Sequence, residues 1–401
     1  MSALSITPYF PFRRIRILSQ QVYSSCKKAL LRVEPDRRFT PICHVCGCRC
    51  RQIHSWRRRL IRDLDLGETR VTILTTFRRL RCGCCGSVRT EDLELFTPYQ
   101  RVTKRLARHI HDLCKKLTVQ EVADHLGLDW KTVKEVDKRF LEEEFPQTVY
   151  EGLRILAVDE ISIKKRRRYL TVVLDFETGR VVWLGSGNST ETLKRFFHGM
   201  TDTQKQRLEA VAMDMWPSYI KAVQDAVPHV NIVFDLFHVV SGFNRVIDRV
   251  RVREYREACA EHKQVYLGTK YLLLKNPEKI TSDKEREHLK QLLELNATIS
   301  VVMILKEKLK RIWLCRDRDE AADQLRSWYV LARASYVPEV KDFARMLRRH
   351  EHGILNHCDY PVHTSKLEGV NNKIKVIKRK AYGFHDLRYF SLKVIQAFSC
   401  N

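Results

Sequence analysis

The spacing of apolar positions changes character several times along the chain. From Leu117 onward, Val119, Val122, Ala123 and Leu126 recur at i, i+3, i+4 and i+7, the stripe of a short amphipathic helix. Gly127 then supplies a turn residue, and Asp129 is placed to cap a second helix whose Val133, Val136 and Phe140 face inward. After Pro146 the pattern becomes that of strands. Arg154 to Glu160, Tyr169 to Phe176 and Arg180 to Leu184 predict three strands joined by short turns. A helix is predicted over Thr190 to Phe197 and a buried strand over Leu208 to Asp214. Trp216, Ile220, Val223 and Val227 then share one helix face, and Asn231 to Phe234 predicts a fifth strand.

Helical periods fill the segment from Val239 to Tyr360. They run over Phe243 to Cys259, Ser282 to Leu295 with a Ser282…Glu285 capping box, Ile299 to Trp313, and Ala321 to Ala334. No motif with chemistry stands out there. Trp313 and Trp328 are read as core residues, with stacking on an unpaired base the rarer alternative. A last helix spans Lys366 to Lys380, where Leu367, Val370, Ile374 and Ile377 face the core and Glu368, Asn372, Lys375 and Arg379 lie on an adjacent face.

Composition sharpens this picture through its charge. At 401 residues the chain exceeds what one compact core holds, and an apolar fraction of 44% is that of a globular protein. Seventy-three Lys and Arg against forty-eight Asp and Glu leave a net charge of +25. Such an excess repels itself unless a polyanion offsets it, and nucleic acid is the commonest polyanion. No apolar run approaches the ~18 residues of a membrane span, and Met1 to Phe12 lacks the pattern of a secretory signal. A cytoplasmic protein with no membrane partner is the expectation. On the paired short helices, Lys131, Thr132, Lys134, Lys138 and Arg139 are read as exposed. Two helices joined across a Gly suggest a helix-turn-helix, whose second helix enters the major groove of DNA.

Thirteen cysteines form no disulfide framework in a chain of this kind, and seven of them lie between Cys43 and Cys85. Cys43-x-x-Cys46 and Cys82-x-x-Cys85 are two knuckles, each able to fill two corners of a zinc tetrahedron. Cys48, Cys50, Cys84, His44 and His54 are rival ligands. Between the knuckles, Asp63 to Glu68 predicts a turn leading into a strand over Arg70 to Leu74, so a small β-module fits. The scattered Cys26, Cys114, Cys259, Cys315, Cys358 and Cys400 are read as small core or surface residues.

The carboxylates carry the remaining chemistry. Three antiparallel strands followed by helix, strand, helix and strand resemble the order of a ribonuclease H-like core. In that order Asp159 and Asp214 end neighbouring strands. Two carboxylates in one cleft repel, so a cation is needed to keep both ionised, and Mg²⁺ (or Mn²⁺) suits oxygen ligands and phosphodiester chemistry. Two ions roughly 3.5–4 Å apart can activate an attacking oxygen and stabilise a leaving one. A single Asp at a strand end is more often a cap or turn residue, the class assigned to Asp175 and Asp235, with Asp235 the main rival as second carboxylate. Glu368 heads the polar face of the last helix and is the candidate third acid. From Pro361 to Asn401 eight Lys and Arg meet two acids, so cations follow that Glu along the chain.

The blocks AVDE-x13-TVVLDFETGRVV, AMDMWPSYIKAV, NIVFDLFHVV and LEGVNNKIKVIKRKAYGF resemble bacterial insertion-sequence transposases of the ISL-three family. The knuckles, RRLRCGCC and LTVQEVADHLGLDWKTV are similar to that family's zinc-binding and helix-turn-helix regions. Together these cover nearly the whole chain, from about Cys43 to about Phe398. The resemblance implies a DDE triad at Asp159, Asp214 and Glu368, and an all-helical insertion within the core. It implies a multidomain protein: an N-terminal extension (1–36), an α+β zinc-binding module (37–97), an α-helical helix-turn-helix domain (98–148), and an α/β ribonuclease H-like core. That core would comprise 149–238 and 361–401, interrupted by the helical insertion (239–360). The implied activity is binding of double-stranded terminal inverted repeats, cleavage of the element ends, and joining of 3′-hydroxyls to target DNA, with a homo-oligomer in the synaptic complex. Two alternatives stand beside it: a transposase-derived DNA-binding protein without activity, and a structure-selective nuclease.

Overall fold

The computed structural model describes residues 6–164, 168–275, 279–362, 364–381 and 384–399. Cys400, and the Tyr382-Gly383 pair of the last motif, lie outside the described residues. The chain divides into two compact units, Met1–Pro146 and Gln147–Asn401.

The first unit is built on a five-stranded sheet. Its strands are β1 (Ile15–Tyr23), β2 (Lys28–Pro35), β3 (Ile53–Arg62), β4 (Arg70–Cys82) and β5 (Ser87–Thr90), in the order β1-β2-β4-β3 with β5 pairing β4. The residues expected only as an N-terminal extension therefore supply two strands, and β2 runs parallel to β4 with Ala29 opposite Val71. Alternate residues of β2 and β4 (Ala29, Leu31, Val33, Val71, Ile73) are buried around Phe77 and Phe96, the inward face of a half-covered sheet. Gly67 turns the chain into β4 with φ +56, matching the expected turn.

Three helices complete this unit: α1 (Lys104–Cys114), α2 (Val119–Leu126) and α3 (Trp130–Glu144). They bury one cluster of Leu106, Ile110, Val122, Ala123, Leu126, Val133 and Val136. Asp63 ties them to the sheet. Its fully buried carboxylate accepts from the Thr103 hydroxyl at 2.6 Å and from Arg105 Nε at 2.8 Å. Thr103 is itself the N-cap of α1, so one acid fixes both the entry of the helix and its first turn.

The second unit holds a mixed sheet of β6 (Ile155–Lys164), β7 (Arg168–Asp175), β8 (Val181–Ser186), β9 (Ala210–Met213) and β10 (Asn231–Phe234), in the order β10-β9-β6-β7-β8. The first three strands are antiparallel neighbours, while β9 and β10 run parallel to β6. Helices α4 (Thr190–His198), α5 (Asp202–Gln206) and α6 (Pro217–Ala226) make the crossovers. All five strands lie within a few residues of where the sequence pattern put them.

A continuous helix, α7 (Leu236–Glu257), then leaves the sheet, followed by α8 (Ala260–Tyr266), α9 (Thr269–Leu274), α10 (Asp283–Leu295), α11 (Ala297–Ile312), α12 (Arg318–Ala334), α13 (Pro338–Arg349) and α14 (Glu351–Leu355). The chain returns through α15 (Thr364–Lys380) and α16 (Leu387–Ser399). Period 2 sorts the sheet between two cores. Leu156, Val158, Val173 and Met213 join α4, α6 and the helices from α7 onward in one cluster. Ala157, Ile161, Val172 and Leu174 pack with Leu367, Val370, Ile374, Phe390 and Val394 of α15 and α16. Strand β10 would be an open edge, but α14 covers it: Gly353 approaches Phe234 so closely that a Cβ there would lie 2.5 Å from its ring.

Two sequence readings change here. The Ser282…Glu285 capping box does not form, because Ser282 makes no side-chain cap bond and Glu285 instead pairs with Lys275 at 2.7 Å. Trp216 does not face the core but is the exposed N-cap of α6. Trp328 is the core residue expected: it is fully buried and its indole N–H donates to Leu305 O at 2.9 Å, which removes the base-stacking alternative.

Candidate active site and metal centre

Asp159 lies on β6 between Ala157 and Ile161, so the alternation that buries those two turns its side chain toward α15. There Asn371 donates its side-chain amide to Asp159 Oδ2, and the Glu160 backbone N–H donates to Oδ1 at 2.7 Å. Burial pushes the Asp159 carboxyl above its ordinary value, opposed by those two hydrogen bonds and by His238, and reinforced by the charge of Asp214.

Asp214 follows β9 directly. Because β9 pairs in parallel with β6, Leu156 opposite Val211 and Ala157 opposite Ala212, Asp214 at the end of β9 comes level with Asp159 midway along β6. Asp214 is 43% exposed and its Oδ2 stands 3.6 Å from Nδ1 of His238, on the first turn of α7. The other ring nitrogen of His238 stands 3.9 Å from Asp235, whose carboxylate is only 5% exposed. Asp235 is the N-cap of α7, accepting from the Phe237 N–H at 2.9 Å. Asp175 likewise closes the β7–β8 turn, accepting from Glu177 N and the Thr178 hydroxyl. Both therefore behave as the cap and turn acids expected.

Glu368 is exposed on α15, one turn before Asn371. The structure places it on the helix that reaches Asp159, but the three carboxylates do not all come within 4.8 Å of one another among the described residues. A single ion with ~2.1 Å bonds to all three would need them closer than that; a pair of ions ~4 Å apart bridges a wider set. All-oxygen donors, and the crowding felt by Asp159, fit hard divalent cations. Lys375 and Arg379 follow Glu368 along the exposed side of α15. Two further residues of this region had no signal in periodicity: Asn371, which adjoins the expected Asn372, and His238.

The rim is also connected. Asn188 donates to Glu160 Oε2 at 2.8 Å, and its carbonyl accepts the Trp216 indole N–H at 3.3 Å. Beneath it the buried Tyr219 and Thr171 hydroxyls share a bond of 2.9 Å, and burial raises the Tyr219 phenol well above its usual range.

In the first unit, the sulfurs of Cys43, Cys46, Cys82 and Cys85 lie within 4.8 Å of one another. Cys43 and Cys85 are 3.9 Å apart and Cys46 and Cys82 3.5 Å, close to the ~3.8 Å that ~2.3 Å zinc–sulfur bonds impose on a tetrahedron. The Cys85 backbone N–H brings the Cys82 thiol down to about 6, toward the thiolate a metal requires. Cys46, Cys48 and Cys84 form a second, overlapping group of three. Cys50 is buried, with its thiol on Cys48 O, while His44 turns to Thr90 O and His54 to Ser55. Arg78, four residues before Cys82, is buried against Glu91 rather than presented outward.

The helix-turn-helix forms as the pattern predicts. Thr118 and Glu121 make a reciprocal capping box on α2, Gly127 takes φ +60, and Asp129 accepts from Lys131 N and Thr132 N at the start of α3. Of the five residues expected to be exposed, Lys131 is; Thr132, Lys134, Lys138 and Arg139 are half-buried, because α3 packs against both α1 and α2. A buried His111–Asp137 pair at 2.7 Å, unseen in the sequence, joins α1 to α3.

Comparison with known proteins finds three family matches along the chain. A family model described as a transposase matches residues 156–394, one for the helix-turn-helix domain of transposase family ISL3 matches 91–141, and one for the zinc-finger of transposase IS204/IS1001/IS1096/IS1165 matches 40–85. The transposase for insertion sequence element IS1001 of Bordetella parapertussis is 39% identical over 90% of this chain and 89% of its own length. The transposase for IS1557 of Mycobacterium tuberculosis, in strains CDC 1551 and H37Rv, is 25% identical over 89% of this chain and 85% of its own. No helix among the described residues is long and apolar enough to cross a membrane. The chain belongs to the ISL3 family of insertion-sequence transposases.

Proposed function

We propose that the protein binds the terminal inverted repeats of an insertion sequence, hydrolyses phosphodiesters at the element ends, and joins the freed 3′-hydroxyls to target DNA. One observation carries the chemistry: Asp214, just past the end of β9, comes level with Asp159 on the adjacent parallel strand β6, and the helix that bears Glu368 reaches Asp159 through Asn371. The strand order β10-β9-β6-β7-β8 supports a ribonuclease H-like core, and α7 to α14 an all-helical insertion within it. Asp159, Asp214 and Glu368 would hold two Mg²⁺ or Mn²⁺ ions. Such ions, when bound, activate an attacking oxygen and stabilise the departing one. Asn371 and the Glu160 N–H fix the position of the Asp159 carboxylate, which would be one of the ligands. Lys375 and Arg379 hold backbone phosphates beyond Glu368.

Recognition belongs to the first unit. Lys131, Thr132, Lys134, Lys138 and Arg139 of α3 meet base edges and phosphates in the major groove. Zn²⁺ held by Cys43, Cys46, Cys82 and Cys85 supplies folding free energy to the module that supports them. A homo-oligomer would bring two ends together. The test is incubation of the protein and Mg²⁺ with duplexes carrying the ends of its element and with random duplexes. Nicks at the end boundary support the reading. Specific binding without nicks leaves a DNA-binding protein, and nicks at branched or gapped DNA irrespective of sequence leave a nuclease.

A further inference from the structure

Two large aromatic side chains stand exposed next to acids that follow the parallel strands, Trp216 at the N-cap of α6 after β9 and Phe237 in the first turn of α7 after β10. Trp216, two residues after Asp214, is 45% exposed, and Phe237, next to His238, is 57% exposed. An exposed indole costs hydration free energy, and among the described residues no aromatic ring or cation is stacked on its face. Its edge, by contrast, is fixed. The Trp216 N–H is held by Asn188 O at 3.3 Å, and Asn188 also holds Glu160, the residue next to Asp159. The ring is thus tied to both catalytic strands by a polar edge while its π-face stays open. Ligands of mixed sheets bind beyond the carboxyl ends of parallel strands, which is where this ring stands.

We infer that Trp216 is a stacking platform for an unpaired nucleobase adjacent to the scissile phosphate, with Phe237 as a second apolar wall. This rests on the reading of Asp159 and Asp214 as the cleavage site, to which the ring is joined by its position two residues after Asp214 and by its bond through Asn188 to Glu160. A base within a duplex has no free face to offer; a base unpaired at a nicked or frayed end does. Trp313 does not compete for this role, because its ring is stacked on His357 in the helical region. The net charge of +25 brings DNA to the chain but gives no preference for unpaired bases, so the preference must come from stacking.

The test uses the full-length protein and two hairpin duplexes of one sequence, one blunt and one with a two-nucleotide overhang carrying 2-aminopurine at the junction. The ratio of their affinities cancels contacts made by the N-terminal modules. The parent should favour the overhang by about 5- to 150-fold, the range of one stacked base, and should quench the fluorophore. Trp216→Phe keeps a ring and should keep most of both effects. Trp216→Leu keeps apolar bulk without a π-face and should lose both. An unchanged ratio and quench in Trp216→Leu would overturn the inference. Asp214→Asn separates it from the underlying reading: it should retain the quench while losing cleavage. If Asp214→Asn cleaves like the parent, the assignment of the acids fails whatever Trp216 does.

Discussion

Asp159 is held in tension between burial, which favours its neutral form, and the hydrogen bonds from Glu160 N and Asn371, which favour the anion. Removing the Asn371 donor should therefore raise its pKa further. Cation binding needs the carboxylate, so the acid limb of the cleavage profile should move to higher pH in Asn371→Leu, with the alkaline limb unchanged. A pH–rate series in Mg²⁺ reads this; an unshifted limb would mean that Asn371 does not act on Asp159. The linkage has a second sign. A carboxyl whose folded pKa is raised loses stability as pH rises through that pKa, so Asp159→Asn should melt above the parent at neutral pH in the absence of divalent cations. Asp159 and Asp214 were legible in the sequence because each ends an apolar run. Asn371 and His238 were not: periodicity places a residue on a helix face but says nothing of which neighbouring strand its side chain reaches. Asn371 and Asn372 straddle the edge of the apolar stripe, and only the packing of α15 on β6 chose the first.

At the scale of elements, the helix-turn-helix was readable because its local signals agree: a capping box, a Gly at φ +60 and an Asp cap all occur within twelve residues. Strands β1 and β2 were not, because β1 alternates poorly, leaving Leu18 and Val22 exposed, and β2 is fixed by long-range pairing with β4. Lys131 and Lys134 lie at the start of α3, whereas Lys375 and Arg379 follow Glu368. Neutralising either pair should weaken DNA binding and reduce the salt slope by about 0.9 for each lost phosphate contact. Only the first should also reduce discrimination between element ends and random duplex. Binding isotherms over a salt series decide this, and an unchanged ratio for Lys131/Lys134 would transfer sequence reading to the zinc module. For that module, Cys43→Ser or Cys82→Ser should release about one zinc and unfold the residues around the knuckles. Elemental analysis with no zinc in the parent would end the claim, and zinc retained in Cys85→Ser would move the fourth ligand to Cys84.

For the molecule as a whole, the sheet of the second unit serves two cores, one shared with the helices from α7 onward and one with α15 and α16. The helical region is therefore not an appendage of the sheet but part of its packing. Trp328, buried against Phe243 of α7 and Phe343 of α13, belongs to that shared core. Trp328→Ala should cost about 3–5 kcal/mol by cavity formation and lower the melting temperature of the sheet together with the helices. Separate unfolding of the helical region, seen by limited proteolysis, would contradict that coupling.

The central claim is that Asp159 and Asp214, and not Asp235, form the cleavage centre. Its most direct test is Mg²⁺-dependent cleavage of end-bearing DNA by Asp214→Asn and Asp235→Asn, with binding to the same DNA measured on the same preparations. Asparagine caps a helix as well as aspartate does, so Asp235→Asn should preserve α7 and cleave within severalfold of the parent. Asp214→Asn should bind the ends like the parent and lose at least about a hundredfold in cleavage. Undiminished cleavage by Asp214→Asn, or its selective loss in Asp235→Asn, would contradict the account.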